Sequence, residues 1–471
     1  MSPINRAILA TSLIGCISAN AGNESTPAID IPSSSSTATG LLLGKFTGES
    51  AYDKIWSGFT LYKDDSNQVL QEFSLQGRLQ VQYADGNSDN GHFDIENYKY
   101  AAGYPQDPPS SQSTADSNDQ TVWGDNFEAR RARLGFKSKW FQTWKLEGQI
   151  NVDTTDGFSN LYRDIYDLYL TYAPSDALNV TVGKTKLKFG REQEISSKEI
   201  LTFERSLVSN LLFPGELTGI TVSGKGLYDH WGYELGVYGA QRARGFSSYD
   251  EGTVVLGKIA YDYSGQFGLD TAVASFQYMH NSNPGYKTES YDNFYSSSSP
   301  SFNNALALTN DITKGRFGLT TDMLYGFGFE GTADQENAAP RDINQDNVFG
   351  ISVIPSYYIA EGLQLVGRVQ WATGGDAEPK NGTTPASSNL GLPSRYERWA
   401  PNAIQNGEEY TSFYLGLNYY IYGHKLKLMT GVEYSMMDGG IASTKVDKNP
   451  NKNQTASFDG YTFFTGVRMS F

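Results

Sequence analysis

From Phe73 onward the chain repeats one pattern, in which apolar or aromatic residues occupy every second position and polar residues fill the gaps. Phe73, Leu75, Gly77, Leu79, Val81 and Tyr83 alternate with Ser74, Gln76, Arg78, Gln80 and Gln82. The period returns over residues 144–153, 363–372 and 461–471, the last ending on Phe471. Successive side chains of a strand point to opposite faces, so a period of two means one polar and one apolar face. Sixteen strands are predicted, near residues 71–83, 128–139, 143–153, 163–173, 177–188, 217–228, 231–242, 253–263, 267–280, 303–313, 316–330, 346–358, 362–373, 409–422, 424–436 and 458–471.

The connections alternate between short and long. Seven short turns and eight long loops (84–127, 154–162, 189–216, 243–252, 281–302, 331–345, 374–408 and 437–457) are what sixteen antiparallel strands require when both termini lie on the short-turn side. A soluble sandwich has no reason to gather its long loops at one end. Its apolar face would also carry mostly Leu, Ile and Val. Here the chain uses 31 Tyr, 25 Phe, 7 Trp and 49 Gly. Strands of this length, an even count and aromatic strand ends fit a barrel in an outer membrane. In lipid such a sheet must close, because an open edge leaves backbone groups unpaired. A closed barrel of this many strands encloses an aqueous channel.

Other classes are excluded by composition. After the first fifteen residues no run of 18 apolar residues occurs, which rules out membrane-spanning helices. A net charge of −15 argues against nucleic acid as a partner. Residues 252–258 spell most of a phosphate-binding loop, but Ile259 replaces the required hydroxyl residue and the intervening residues favour a strand. Residues 326–331 match a dinucleotide fingerprint by letter without its strand-to-helix context. The run from Asp342 starts like a calcium loop but has Asn347 and Val353 where Gly and Glu belong. His92, His230, His280 and His424 are widely separated, so neither a metal nor another cofactor is expected, and no enzyme activity.

The N-terminus reads as an export signal. Met1 to Arg6 carries a positive charge, residues 7–15 are apolar, and Ala19-Asn20-Ala21 offers small residues for cleavage. Residues 1–21 are therefore expected to be removed; the rival reading is a lipidated Cys16, which is the chain's single cysteine. Residues 22–68 read as a periplasmic arm and linker, with the barrel spanning 69–471.

Several short segments, in order, carry a family resemblance. These are Leu61-Tyr62-Lys63-Asp64-Asp65, Leu70-Gln71-Glu72-Phe73, Arg130-Arg131-Ala132-Arg133-Leu134-Gly135-Phe136, Val182-Gly183-Lys184 with Lys186, Ser196-Ser197-Lys198, Phe203-Glu204-Arg205-Ser206-Leu207, Asn418-Tyr419-Tyr420 and His424-Lys425-Leu426-Lys427. Together they resemble the phosphate-selective porin O/P family. The resemblance implies an all-β, 16-stranded antiparallel transmembrane barrel with short periplasmic turns, long extracellular loops and an inward-folded third loop. It also implies a homotrimer in the Gram-negative outer membrane, and Phe471 resembles the signal read by the barrel-insertion machinery.

The third loop supports this independently. Ile195, Ile200, Leu201, Phe203, Leu207, Leu211, Leu212 and Phe213 make it too apolar for water, so it is expected against the inner wall, the alternative being a loop that docks on a partner at a trimer interface. Its charges Arg191, Lys198, Glu199, Glu204 and Arg205 are then expected to face the pore. The polar phase of the strands places Arg78, Arg131, Arg133, Lys137, Lys145, Lys225, Lys258, Arg368, Lys425, Lys427 and Arg468 in the lumen. Glu147, Asp153, Asp167, Glu234, Asp262 and Glu433 share that face, which leaves a basic surplus. Charge on a narrow low-dielectric wall concentrates counter-ions. The expectation is passive diffusion of small hydrophilic solutes with a mild anion preference, phosphate among the anions. The alternative is a plugged or non-conducting structural or adhesive barrel. The first long loop is strongly acidic, a surface that could meet lipopolysaccharide through divalent cations.

Overall fold

The computed structural model describes residues 50–86, 92–95, 126–154, 161–226, 228–250, 252–284, 302–329, 343–344, 347–374, 378–379, 390–391, 406–441 and 455–471. The export segment 1–21 with Cys16, the arm before residue 50, most of the acidic first loop and Asp342 lie outside them.

Sixteen strands form the wall. They are β1 (Leu70–Asp85), β2 (Asn126–Trp140), β3 (Trp144–Asn151), β4 (Asp164–Ser175), β5 (Leu178–Lys186), β6 (Glu216–Lys225), β7 (Trp231–Gly239), β8 (Thr253–Asp262), β9 (Thr271–Asn281), β10 (Phe302–Lys314), β11 (Phe317–Phe329), β12 (Val348–Ala360), β13 (Leu363–Thr373), β14 (Glu409–Tyr422), β15 (Leu426–Ile441) and β16 (Thr455–Ser470). Each pairs antiparallel with its successor, and β16 returns to β1 from Arg78↔Ser470 to Asp85↔Phe463. The sheet is therefore a closed barrel, with two short extra strands, Thr60–Lys63 and His92–Ile95, added at its ends.

Burial is inverted relative to a water-soluble protein. Gln80, Gln82, Gln277, Ser352, Gln370 and Ser412 are buried inside, whereas Leu134, Ile220, Leu235, Ile259, Leu308 and Leu415 are exposed outside. An apolar exterior is what lipid demands of alternating strands. Near the short turns, Trp144 packs on Tyr172 and Trp231 on Tyr261, both at 4.8 Å, giving amphipathic rings at one rim.

The arm docks at that same rim. Helix α1 (Ala51–Ser57) starts with a capping box, in which Asp53 N donates to Ser50 Oγ and Ser50 N donates to Asp53 Oδ2. Trp56 Nε1 donates to the Ser470 carbonyl at 2.7 Å, and the Tyr422 hydroxyl donates to Asp53. Thr60–Lys63 then pairs with residues 72–74 of β1, a stretch that β16 does not reach. Phe471 pairs its backbone with Gly77 in both directions, while its ring stacks on Phe59 at 3.8 Å. That ring lies over Gly77, where a Cβ would come within 2.2 Å of it, so β1 needs glycine there.

Candidate functional site

The chain between β5 and β6 turns into the barrel. It contains two short helices, α2 (Arg191–Glu194) and α3 (Leu207–Leu211). Its apolar residues find partners on the inner wall. Phe189, Leu207, Val208 and Leu212 join Ala305, Leu324, Val348 and Tyr410 in one cluster, and Phe203 stacks on Phe464 at 5.2 Å beside Tyr414 and Met429 in another. Burying each such side chain contributes about 1.5–3 kcal/mol. Wall side chains take up the loop's backbone groups. Asp322 accepts from the amides of Arg191 (2.6 Å) and Glu192 (2.8 Å), and Gln370 Oε1 accepts from Leu207 N at 2.8 Å.

Four of the basic residues assigned to the lumen are buried beneath this loop. Lys258 pairs with Glu194, and Arg368 donates to Glu433 and to the Glu204 carbonyl, both at 2.6 Å. Lys427 donates to the Ile200 carbonyl at 2.9 Å, and Arg468 to that of Phe203 at 2.6 Å. All four lie inside but are 3% exposed or less. This corrects the expectation that they line the open pore: the loop covers them and accepts their donors.

The loop's own charges divide in the same way. Arg191 does not face the pore; it is buried against the wall and bonds Asp311 at 2.8 Å and Glu194 at 3.4 Å. Glu204 is likewise buried, held by Arg130 at 2.6 Å and by Arg131 at 3.3 Å. Arg205 donates to the carbonyls of Glu192 and Ile195, both at 2.7 Å. Lys198 is exposed, 4.0 Å from Glu199.

The remaining arc, β1 to β6, carries a different set. Arg78 and Arg133 are cross-strand partners, and Arg133 in turn opposes Asn151, to which its Nε donates at 2.8 Å. Arg78 donates to the hydroxyls of Ser196 and Ser197 on the loop. Lys186 Nζ donates to the Gln193 carbonyl at 2.6 Å. Arg78, Lys186 and Arg205 thus all bond to loop residues 192–197, and Arg133 stands across from Arg78, which gathers the four cations along one stretch of the loop. Among the described residues none of the four is ion-paired.

Two β-bulges tune this arc. The pairing of β1 with β2 shifts between Gln80↔Arg131 and Val81↔Ala129, so Arg130 is the extra residue and joins Arg131 on Glu204. The pairing of β3 with β4 shifts between Gln149↔Asp167 and Ile150↔Ile165, which makes Tyr166 the extra residue. Its ring lies 3.3 Å beneath the Arg133 guanidinium. A bulge re-aims side chains that strict alternation would send outward. Arg130 and Tyr166 were invisible to a period-two reading for that reason.

The other sequence candidates sit away from the cluster. Lys137 is exposed and pairs with Glu72 at 3.2 Å, and Lys145 is exposed near the short-turn end of β3. Lys225 ends β6, and Lys425 lies in the turn before β15, its ammonium 5.1 Å from the Tyr422 ring. Among the described residues no cluster of His, Cys, Asp and Glu fits a metal ion.

A model of the family described as phosphate-selective porin O and P matches residues 111–453. Solved structures of similar fold include OmpT, an outer-membrane protein of Vibrio cholerae (13% identity, TM-score 0.47, 88% of this chain and 99% of that one). The outer-membrane channel DcaP of Acinetobacter baumannii is similar at 16% identity and a TM-score of 0.45, covering 87% of this chain and 100% of that one. An anion-selective porin from Comamonas acidovorans is similar at 10% identity and a TM-score of 0.47, covering 85% and 99%. Among curated proteins none matches the chain.

Proposed function

The chain belongs to the phosphate-selective porin O and P family of outer-membrane channels, and on that premise we propose that it passes small hydrophilic solutes by passive diffusion with a mild preference for anions. The observation that carries this reading is the group of Arg78, Arg133 and Lys186, partly exposed cations at the inward loop, with Arg205 buried within the loop, none of them ion-paired among the described residues. Such a cluster raises the local concentration of anions in the aperture. Arg131 adds little, because Glu204 sits against it and Arg130. Phosphate is on this reading one passing anion rather than the dedicated solute. Glu147, Asp167 and Glu216 lie on β3, β4 and β6 of the same arc, Glu216 directly across from Lys186, and oppose a multiply charged oxyanion.

The reading extends to a homotrimer, to export through removal of residues 1–21, to delivery through Phe471 and to acidic outer loops facing lipopolysaccharide. The channel reading is tested by the reversal potential of the purified protein in a planar bilayer across a KCl gradient. A shift toward the chloride equilibrium value, with phosphate reducing current only at concentrations comparable to chloride, is expected. A cation-favouring potential would overturn the anion preference, and absence of conductance would favour the plugged barrel.

A further inference from the structure

The cations of the aperture are interleaved with carboxylates along one arc of wall: Arg78 on β1, Arg133 on β2, Glu147 on β3, Asp167 on β4, Lys186 on β5 and Glu216 on β6. Asp167 stands across from Gln149, two residues along β3 from the Asn151 that holds Arg133, and Glu216 stands across from Lys186, so the two signs share one stretch of wall. Yet the described residues show no ion pair between them. Opposite charges partly buried in a low-dielectric wall attract strongly, so something must keep them apart. Arg133 is held by Asn151 and by the Tyr166 ring, Arg78 by two loop hydroxyls, Lys186 and Arg205 by loop carbonyls.

The tethering leaves polar atoms of both kinds unsatisfied within the same stretch of wall. Arg133 NH1 and Arg78 Nε are buried donors without a partner, and Asp167 Oδ1 is a buried acceptor without one; Asp167 Oδ2 accepts from Gln149 at 3.2 Å. Buried polar atoms left unsatisfied in a folded protein call for a partner. A purely anionic solute would serve the donors and be repelled by Asp167. A solute with both a carboxylate and an ammonium serves both.

Resting on the channel reading above, we infer that the aperture favours small dipolar solutes of the amino-acid type, with Asp167 as a specificity-determining residue. The bulge at Tyr166 is the structural reason: it puts an aromatic support under Arg133 and a carboxylate beside it on consecutive residues. Asp167 receives the ammonium end while Arg133 and Arg78 receive the carboxylate.

The test is swelling of phosphatidylcholine vesicles containing the full chain, in glycine and in its neutral isomer glycolamide, which differ in charge distribution but not in atoms. Glycine is expected to enter about two- to threefold faster. Asp167→Asn is expected to erase the difference while the KCl reversal potential stays on the chloride side. Equal rates through the wild type, or an unchanged ratio in Asp167→Asn, would overturn the inference and leave the anion preference standing. Should Asp167→Asn fail to insert, Glu147→Gln takes its place, with a reduced ratio expected and an unchanged one contradicting. Passage of neither isomer would refute the channel reading itself, and the inference with it.

Discussion

The two arcs of the lumen wall carry similar side chains and use them differently. On β8 to β16, Lys258, Arg368, Lys427 and Arg468 all end on the inward loop or on a carboxylate behind it. On β1 to β6, Arg78, Arg133 and Lys186 are likewise tied to hydroxyl, amide or carbonyl oxygens, two of them to the loop, but they stay partly exposed where the other four are buried. The difference lies in what the loop covers. Facing inward makes a cation a candidate for solute contact, and on the proposed reading only one that stays uncovered acts.

The largest effect should come from breaking the covered arc. Arg368→Met leaves Glu433 buried beside Gln370 and Ser412 without its cation. Breaking a buried pair costs about 3–5 kcal/mol. A lower unfolding temperature by heat-modified gel migration is expected, with noisier single-channel current as the loop loosens. Unchanged stability and current would mean the pair does not hold the loop.

Asp322→Asn is a milder cut. It weakens the acceptor for two loop amides, at a cost of about 1–3 kcal/mol. The conductance should rise while ion selectivity stays close to wild type, since the aperture cations are untouched. A selectivity change as large as that of an Arg133 variant would erase the distinction between the arcs.

Arg133→Gln reverses the pattern. Stability should fall by only about 1 kcal/mol, read by the same gel assay, yet the reversal potential should move toward potassium. The smallest effect concerns the rim. Hydrogen bonds from Tyr422 and Ser50 lower the Asp53 carboxyl to about 2. A carboxylate with a depressed folded-state value stabilises docking above its ordinary value near 3.9, and that contribution disappears as pH falls through about 2. Trp56 fluorescence should therefore report an arm that stays docked at pH 5 and loosens only in strong acid. Release already at pH 5 would contradict this.

Much of this fold is legible in sequence, because alternation over ten residues is a physical requirement of a wall with lipid on one side and water on the other. The inward loop is legible for a related reason: Phe203, Leu207 and Leu212 have no place in solvent. What a local pattern cannot encode is the loop's path, which passes over Arg368 and Arg468 and leaves Arg133 open. Arg130 and Tyr166 escape for a second reason, since each is the extra residue of a bulge and sits on the wrong parity. Helix α1 escapes for a third. Its capping box uses Asp53 in place of the usual Glu or Gln, and only Tyr52, Asp53 and Trp56 of its seven residues are even partly buried.

The central claim is that the β1–β6 arc, and not the rest of the lumen's positive charge, sets selectivity. The most direct measurement is the KCl-gradient reversal potential of the double variant Arg78→Gln/Arg133→Gln beside the wild type. The account predicts a chloride-side potential for the wild type and loss of most of that preference in the double variant. A double variant as anion-selective as the wild type would contradict it.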